Sequence, residues 1–192
     1  YEILIGLVGS EMCIRDSGIS GGAVLAGVLD GSISMDVWNG LALAGGAATV
    51  GCCCNMLGFA VISYPDNGVG GLVAQGLGTS MLQVPNLMRK PILWIPPVLT
   101  SAILGPVATC IFQLRNNGAA ISSGMGTAGL VGPIGIITGW SNMPEGYAVG
   151  AFDWLGMILV CFVLPVLLSW AIGKFMRKKG WIKEGDLKVD LG

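Results

Sequence analysis

Residues 151–173 read AFDWLGMILVCFVLPVLLSWAIG, twenty-three positions whose only charge, Asp153, lies near the start. As a helix this stretch is about 34 Å long, more than the roughly 30 Å hydrocarbon core of a bilayer, so it is expected to cross. Trp154 and Trp170 are about 24 Å apart along such a helix and suit the two interfacial aromatic belts; Pro165 predicts a kink that neighbouring helices compensate. Asp153 is expected near the outer interface. Lys174, Arg177, Lys178 and Lys179 follow directly, and the positive-inside rule places this end in the cytoplasm. Residues 174–192 are then a basic cytoplasmic tail, short and soluble.

Composition agrees with a membrane protein. Of 192 residues, 53% are hydrophobic and 11% charged, against roughly 25% charged in a soluble domain. Four charged residues lie in 1–16, nine in 174–190 and eight in between. No broad basic surface exists, so nucleic acid is not an expected partner. The chain has no histidine, which removes the usual general base and any phosphohistidine relay; phosphoryl transfer would need another chain or domain. Cys13, Cys52, Cys53, Cys54, Cys110 and Cys161 form no C-x-x-C pair and mostly sit in apolar runs, as small buried thiols do. No phosphate-loop motif occurs, no metal site or cofactor is expected, and no catalytic residue is identified.

Residues 1–17 (YEILIGLVGSEMCIRDS) lack the basic start of a signal segment. The part from Leu7 to Ser17 resembles a translated sequencing adapter, which makes 1–17 an artefactual leader and the remainder a C-terminal fragment of a longer protein. The membrane-embedded part then spans 18–173. A span is expected from Trp38 to Tyr64, where Gly40, Ala44, Ala48 and Cys52 form one small-residue face, either for another helix or by chance against lipid. The run from Gly18 to Asp36 is short and interrupted by Asp30. Between Gly68 and Trp140, apolar segments are cut by Pro85, Pro91, Pro96, Pro97, Pro106 and Pro133. Arg89, Lys90 and Arg115 flank the segment Pro91–Leu114 on both sides, and a re-entrant hairpin turning near Gly105–Pro106 would resolve the charge conflict. The acidic residues Asp66, Glu145 and Asp153 fall near span ends, as solvated groups.

Residues 76–85 (GLGTSMLQVP) and 124–133 (GMGTAGLVGP) are two copies of G-x-G-T-x-x-L-x-x-P, 48 positions apart. Paired glycine- and proline-interrupted segments point to a transporter's midplane site, where unwound backbone faces the substrate. Thr79 and Thr127 are the matched polar groups, with Gln75, Gln83 and Asn86 around the first copy and Ser122 and Ser123 ahead of the second. Uncharged groups favour a sugar or similar polar solute over an ion. The plainer alternative is that the glycines serve only close packing. The fold class expected is an all-α polytopic membrane protein with re-entrant, Gly/Pro-broken hairpins.

The strings GGAATVGCC (45–53), NGVGGLVAQGLGTSMLQVPN (67–86), WIPPVLTSAILGPVAT (94–109), GMGTAGLVGPIG (124–135) and FMRKKGWIKEGD (175–186) together resemble enzyme IIC membrane proteins of the bacterial phosphotransferase system, in the branch that includes perfringolysin-regulator-like proteins. The resemblance implies a sugar permease in the bacterial inner membrane, usually a homodimer, with separate IIA and IIB partners carrying the phosphoryl group. It assigns substrate contacts to Gln75, Gly76, Gly78, Thr79, Gln83, Gly124, Gly126 and Thr127, by hydrogen bonding and close backbone approach. Two rival readings stay open: a membrane-embedded regulator of enzyme IIC ancestry, and a secondary transporter without phosphotransfer.

Overall fold

The computed structural model describes residues 34–118, 120–141 and 148–189. The leader-like 1–17, most of the run up to Asp36, and Glu145 lie outside the described residues. Among those described there is no strand, and three helices are long and apolar enough to cross a membrane: Met35–Ile62, Pro91–Ile111 and Ala151–Lys178.

Helix α1 (Met35–Ile62) is central, with apolar or small residues on every side, as befits a helix packed all round. The Pro91–Ile111 span runs antiparallel to it: Pro97 lies by Gly58, while Leu104 and Ala108 share a core with Val50, Cys53 and Cys54. Its main helix is α4 (Ile95–Pro106), which opens on buried Pro96 and Pro97, tolerated in a first turn where N–H groups have no intrahelical acceptor. The chain does not turn back at Gly105–Pro106, as the flanking charges had predicted. Pro106, which has no N–H to give, is followed by one wider π turn, Val107–Ile111, and the rod continues. Arg115, which motivated the predicted turn, is nearly buried, and its guanidinium donates to the carbonyl and side-chain oxygens of Gln113.

The third span, α7 (Ala151–Ile158), a π turn at Leu159–Val163 and α8 (Leu164–Lys178), runs parallel to α1. Cys161 packs in the core with Cys53, Ser169 faces Gly58, and Gly173 faces Ile62. Pro165 stands just after the π turn, which takes up the kink expected there. Thr100 and Ser169 share a buried hydrogen bond of 3.1 Å between the second and third spans. Trp154 and Trp170 are both exposed, Trp154 edge-on to Trp140 and Trp170 under the ammonium of Lys174.

Two shorter hairpins fill the space between the spans. The first follows α1: α2 (Tyr64–Val73) is broken at Gly68 (φ 61°, ψ −155°), which turns the chain back along α1. Beyond it a π turn (Ala74–Gly78) brings Gly76 beside Leu57 and Ala60. The chain reverses at Thr79 and returns through a 3-10 turn (Ser80–Gln83) and α3 (Val84–Arg89), whose Leu87 shares a core with Phe59 and Ile62. The second hairpin enters from the opposite end of α1. Residues 112–118 cross α1 as an irregular segment; then α5 (Ala120–Met125) descends and α6 (Val131–Trp140) returns. Gly118 against Gly135, and Gly135 against Ser122, leave no room for a side chain between the arms.

The small face expected on α1 is covered only at its Cys52 end, beneath Gly126. Gly40 and Ala44 are exposed, and a Cβ on Gly40 would meet nothing within 4 Å. The covered stripe runs through Ala42, Gly46 and Thr49, and its partner is the irregular segment 112–118: Asn116 N donates to Ala42 O, and a Cβ on Gly46 would lie 1.8 Å from Leu114 O. Three further readings are refined. Cys52, Cys53, Cys54 and Cys161 are buried, but Cys110 is exposed. Asp66 is not a solvated span-end group: its side chain is 4% exposed and paired with Arg177 at 2.8 Å. The tail is not loose after Lys179, since Ile182 and Leu187 are buried with Phe59, Ile62, Leu87 and Met176.

Candidate functional site

The tips of the two hairpins meet beside α1 at the level of Cys52–Ala60. Gly126 (φ +53°) rests on the backbone of Cys52 and Cys53, so close that a Cβ would come within 2.7 Å of it. Its neighbour Thr127 is fully buried and donates from Oγ1 to Gly76 O at 2.6 Å. The second repeat thus touches the first through the residues that the repeated string shares. The carbonyl of Gly76 is available to Thr127 because it lies in the π turn that loosens the end of the first arm.

The matched threonines play different parts. Thr79, in extended conformation, caps the 3-10 turn by accepting from Met81 N at 3.2 Å and is exposed. Gly78 is also exposed, with open space where a Cβ would be. Gly124 is half-buried on the descending arm. Gln75 and Gln83 are fully buried and committed to each other: Gln83 Nε2 donates to Gln75 Oε1, and Gln75 Nε2 donates to Ser63 Oγ. The structure therefore brings Gly76, Gly126 and Thr127 together and holds Gln75 and Gln83 one layer behind them, at the root of the first hairpin. A parallel amide anchor holds the second root, where Asn116 Nδ2 donates to Thr49 Oγ1 at 2.7 Å and Asn116 Oδ1 accepts from Ser122.

Next to the first tip is a recess lined by Asn55, Phe59, Ser80, Met81, Val84, Leu87 and Trp94. Its free space of about 20 Å³ has room for about one water. Phe59 and Trp94 meet edge to face, and Trp94 Nε1 is buried without an acceptor among the described residues. An aromatic wall beside amide and hydroxyl groups is chemistry suited to a polyhydroxylated ring. Of these residues Ser80, Met81 and Val84 fall inside the repeat. Asn55 and Trp94 stand alone in apolar runs, and nothing in their spacing marks them.

Behind the first hairpin the tail completes the wall. Leu187 O accepts from both Asn67 Nδ2 (2.7 Å) and Gln83 Nε2 (3.0 Å), Lys188 O accepts from Asn86 Nδ2, and Val189 N donates to Asn67 Oδ1. Lys90 pairs with Asp186, and Asp66 accepts from Gly185 N as well as from Arg177. Asp186 keeps its carboxyl below the usual range: burial pushes it up, but the hydrogen bonds from Lys90 and from Lys183 N, with the charges of both lysines, outweigh that.

No curated protein and no solved structure matches this chain. A family model described as "Phosphotransferase system, EIIC" matches residues 2–189, so it reaches across the leader-like stretch as well as the membrane part. With nearly the whole sequence matched and two interrupted hairpins joined tip to tip between crossing helices, the chain belongs to the phosphotransferase system EIIC family of membrane sugar permeases.

Proposed function

We propose that this chain binds a sugar where the two hairpin tips meet and passes it to a cytoplasmic IIB partner that phosphorylates it. The observation that carries the reading is the buried contact of Thr127 Oγ1 with Gly76 O, made by matching elements that enter from opposite ends of the bundle. Guest contacts come from Gly76, Gly78, Thr79, Gly124, Gly126 and Thr127 at the tips, while Gln75 and Gln83 line the inner side through their shared network. Trp94 and Asn55 are added to that set. Their recess takes only about one water, so a sugar enters after the arm carrying Ser80 and Met81 has moved away from α1. The basic end faces the cytoplasm of a bacterial cell, since Arg89, Lys90, Lys174, Arg177, Lys178 and Lys179 gather there and, among the described residues, Arg115 alone lies at the other end. The working unit is a homodimer with IIA and IIB as phosphoryl donors.

The test is uptake of labelled sugars by vesicles containing the chain and candidate IIB proteins. Thr127→Val with Thr79→Val is expected to lower uptake about fivefold or more, the value of one lost hydrogen bond of about 1 kcal/mol. Unchanged uptake removes the tips from the site. Uptake of sugar that stays unphosphorylated in the presence of active IIB identifies a secondary transporter instead.

A further inference from the structure

A second recess lies between the returning arm of the first hairpin and the docked tail. It measures about 420 Å³, within the range of small-molecule sites, and is lined by Met81, Leu82, Pro85, Asn86, Arg89, Lys188 and Val189. Among the described residues its charged lining groups are Arg89 and Lys188, with no carboxylate beside them. Neither cation has an acidic partner among the described residues, whereas their neighbours Lys90 and Arg177 are each paired, with Asp186 and Asp66.

Lys188 is held here by its backbone. Its carbonyl accepts from Asn86, the preceding carbonyl accepts from Asn67 and Gln83, and the following N–H donates to Asn67. Asn86 uses both amide protons in doing so, one on Lys188 O and one on Gln83 Oε1, and therefore builds the wall rather than contacting a guest. Three buried or half-buried hydrogen bonds and an exposed one thus fix a lysine opposite an arginine, neither with an acidic partner among the described residues, across a space open to solvent at the basic end.

We propose that this recess binds a phosphate ester, with the Arg89 guanidinium forking onto two phosphate oxygens and the Lys188 ammonium supplying the second charge. A guanidinium matches phosphate geometry bidentately, and two cations with no acid among the described wall residues favour a dianion over a carboxylate or a neutral sugar. That the ester is a phosphorylated product on its way out rests on the transport function proposed above; the binding of phosphate does not. An anionic lipid headgroup offers the same chemistry, and the experiment separates the two sources.

The full chain is placed in nanodiscs of phosphatidylcholine, and broadening of the phosphorus resonance of inorganic phosphate and of glucose 6-phosphate is followed. Broadening is expected for both, weakened at least fivefold by Arg89→Gln or Lys188→Gln and abolished by the pair. Arg89→Lys is expected to retain part of it. Pro85→Asp, which puts a carboxylate into the recess at the start of a helix where aspartate is welcome, removes binding with both cations in place and guards against a misfolded double variant. In a second arm, discs contain phosphatidylglycerol. If the lipid occupies the site, soluble phosphate no longer broadens, and the double variant retains one lipid fewer by native mass spectrometry. If the double variant and Pro85→Asp bind phosphate and retain lipid as the unaltered chain does, the proposal is overturned. Because neither arm needs sugar uptake or a IIB partner, failure here leaves the transport reading standing, and failure of transport leaves this site standing.

Discussion

A methyl group on Gly46 would lie 1.8 Å from the carbonyl oxygen of Leu114, whereas one on Gly40 would meet nothing within 4 Å. The two substitutions are therefore expected to differ in sign. Gly46→Ala must push the backbone of 112–118 off α1 and should destabilise the protein by about 2 kcal/mol or more, as overpacking against an unyielding neighbour does. Gly40→Ala, exposed and helical, should be neutral or stabilise by up to about 1 kcal/mol. Denaturation midpoints in detergent check both. The same pair explains what the sequence left illegible. Small residues four apart at Gly40, Ala44, Ala48 and Cys52 are as regular as those at Ala42, Gly46 and Thr49, and only the partner decides which stripe is covered. That partner is an irregular segment whose carbonyls approach α1, and irregular backbone has no periodicity to read. Thr127 was legible because the repeat singled it out; Trp94 was not, because a lone tryptophan after a basic pair looks like any interfacial aromatic.

Among the elements, the first hairpin and the tail form one unit joined by charge and amide contacts. Lys90–Asp186 and Arg177–Asp66 link the returning arm, the third span and the start of the hairpin. The carboxyl of Asp186 titrates below its usual 3.8 in the docked state. A lowered folded value means that its contribution is complete at neutral pH, and that it fades as pH falls below 3.8 and through the lower folded value. Hydrogen exchange of residues 180–189, corrected for the intrinsic rate, is expected to accelerate as pH drops from 6 to 3. Asp186→Asn should make exchange faster at neutral pH and remove that dependence. Exchange that is insensitive to both would mean that the backbone contacts of Leu187 and Lys188 hold the tail unaided. The basic cluster and the 151–173 span announced this end of the molecule in the sequence. Its docking could not be foreseen, because it depends on Asn67 and Gln83 converging on a single carbonyl 104 or more positions away.

At the scale of the whole molecule, a single crossing by Pro91–Ile111 sets the polarity of everything after it. With one crossing, Arg89 and Gln113 lie on opposite sides of the membrane; a turn at Gly105–Pro106 would have put them on the same side. Single-cysteine variants at these two positions, in a background freed of native thiols, are expected to react with an impermeant reagent from opposite faces of sealed vesicles. Polarity also fixes how the two hairpins relate. One opens to the basic end and the other to the opposite end, and neither reaches across, so a solute moving past their tips has to break the contact between them. A Gly76→Cys, Thr127→Cys chain offers a way to forbid that. Gly76 has ordinary van der Waals room for a side chain, with Ala60 and Leu57 at 3.5 and 3.6 Å, and the 2.6 Å contact from Thr127 Oγ1 to Gly76 O places the two positions side by side. Oxidation is expected to stop sugar uptake by at least about tenfold and reduction to restore it, with each single-cysteine chain insensitive to both treatments. If the cross-linked protein transports at the rate of the reduced one, the tips do not part during the cycle. The passage for sugar would then lie elsewhere, between this bundle and what packs against its exposed faces.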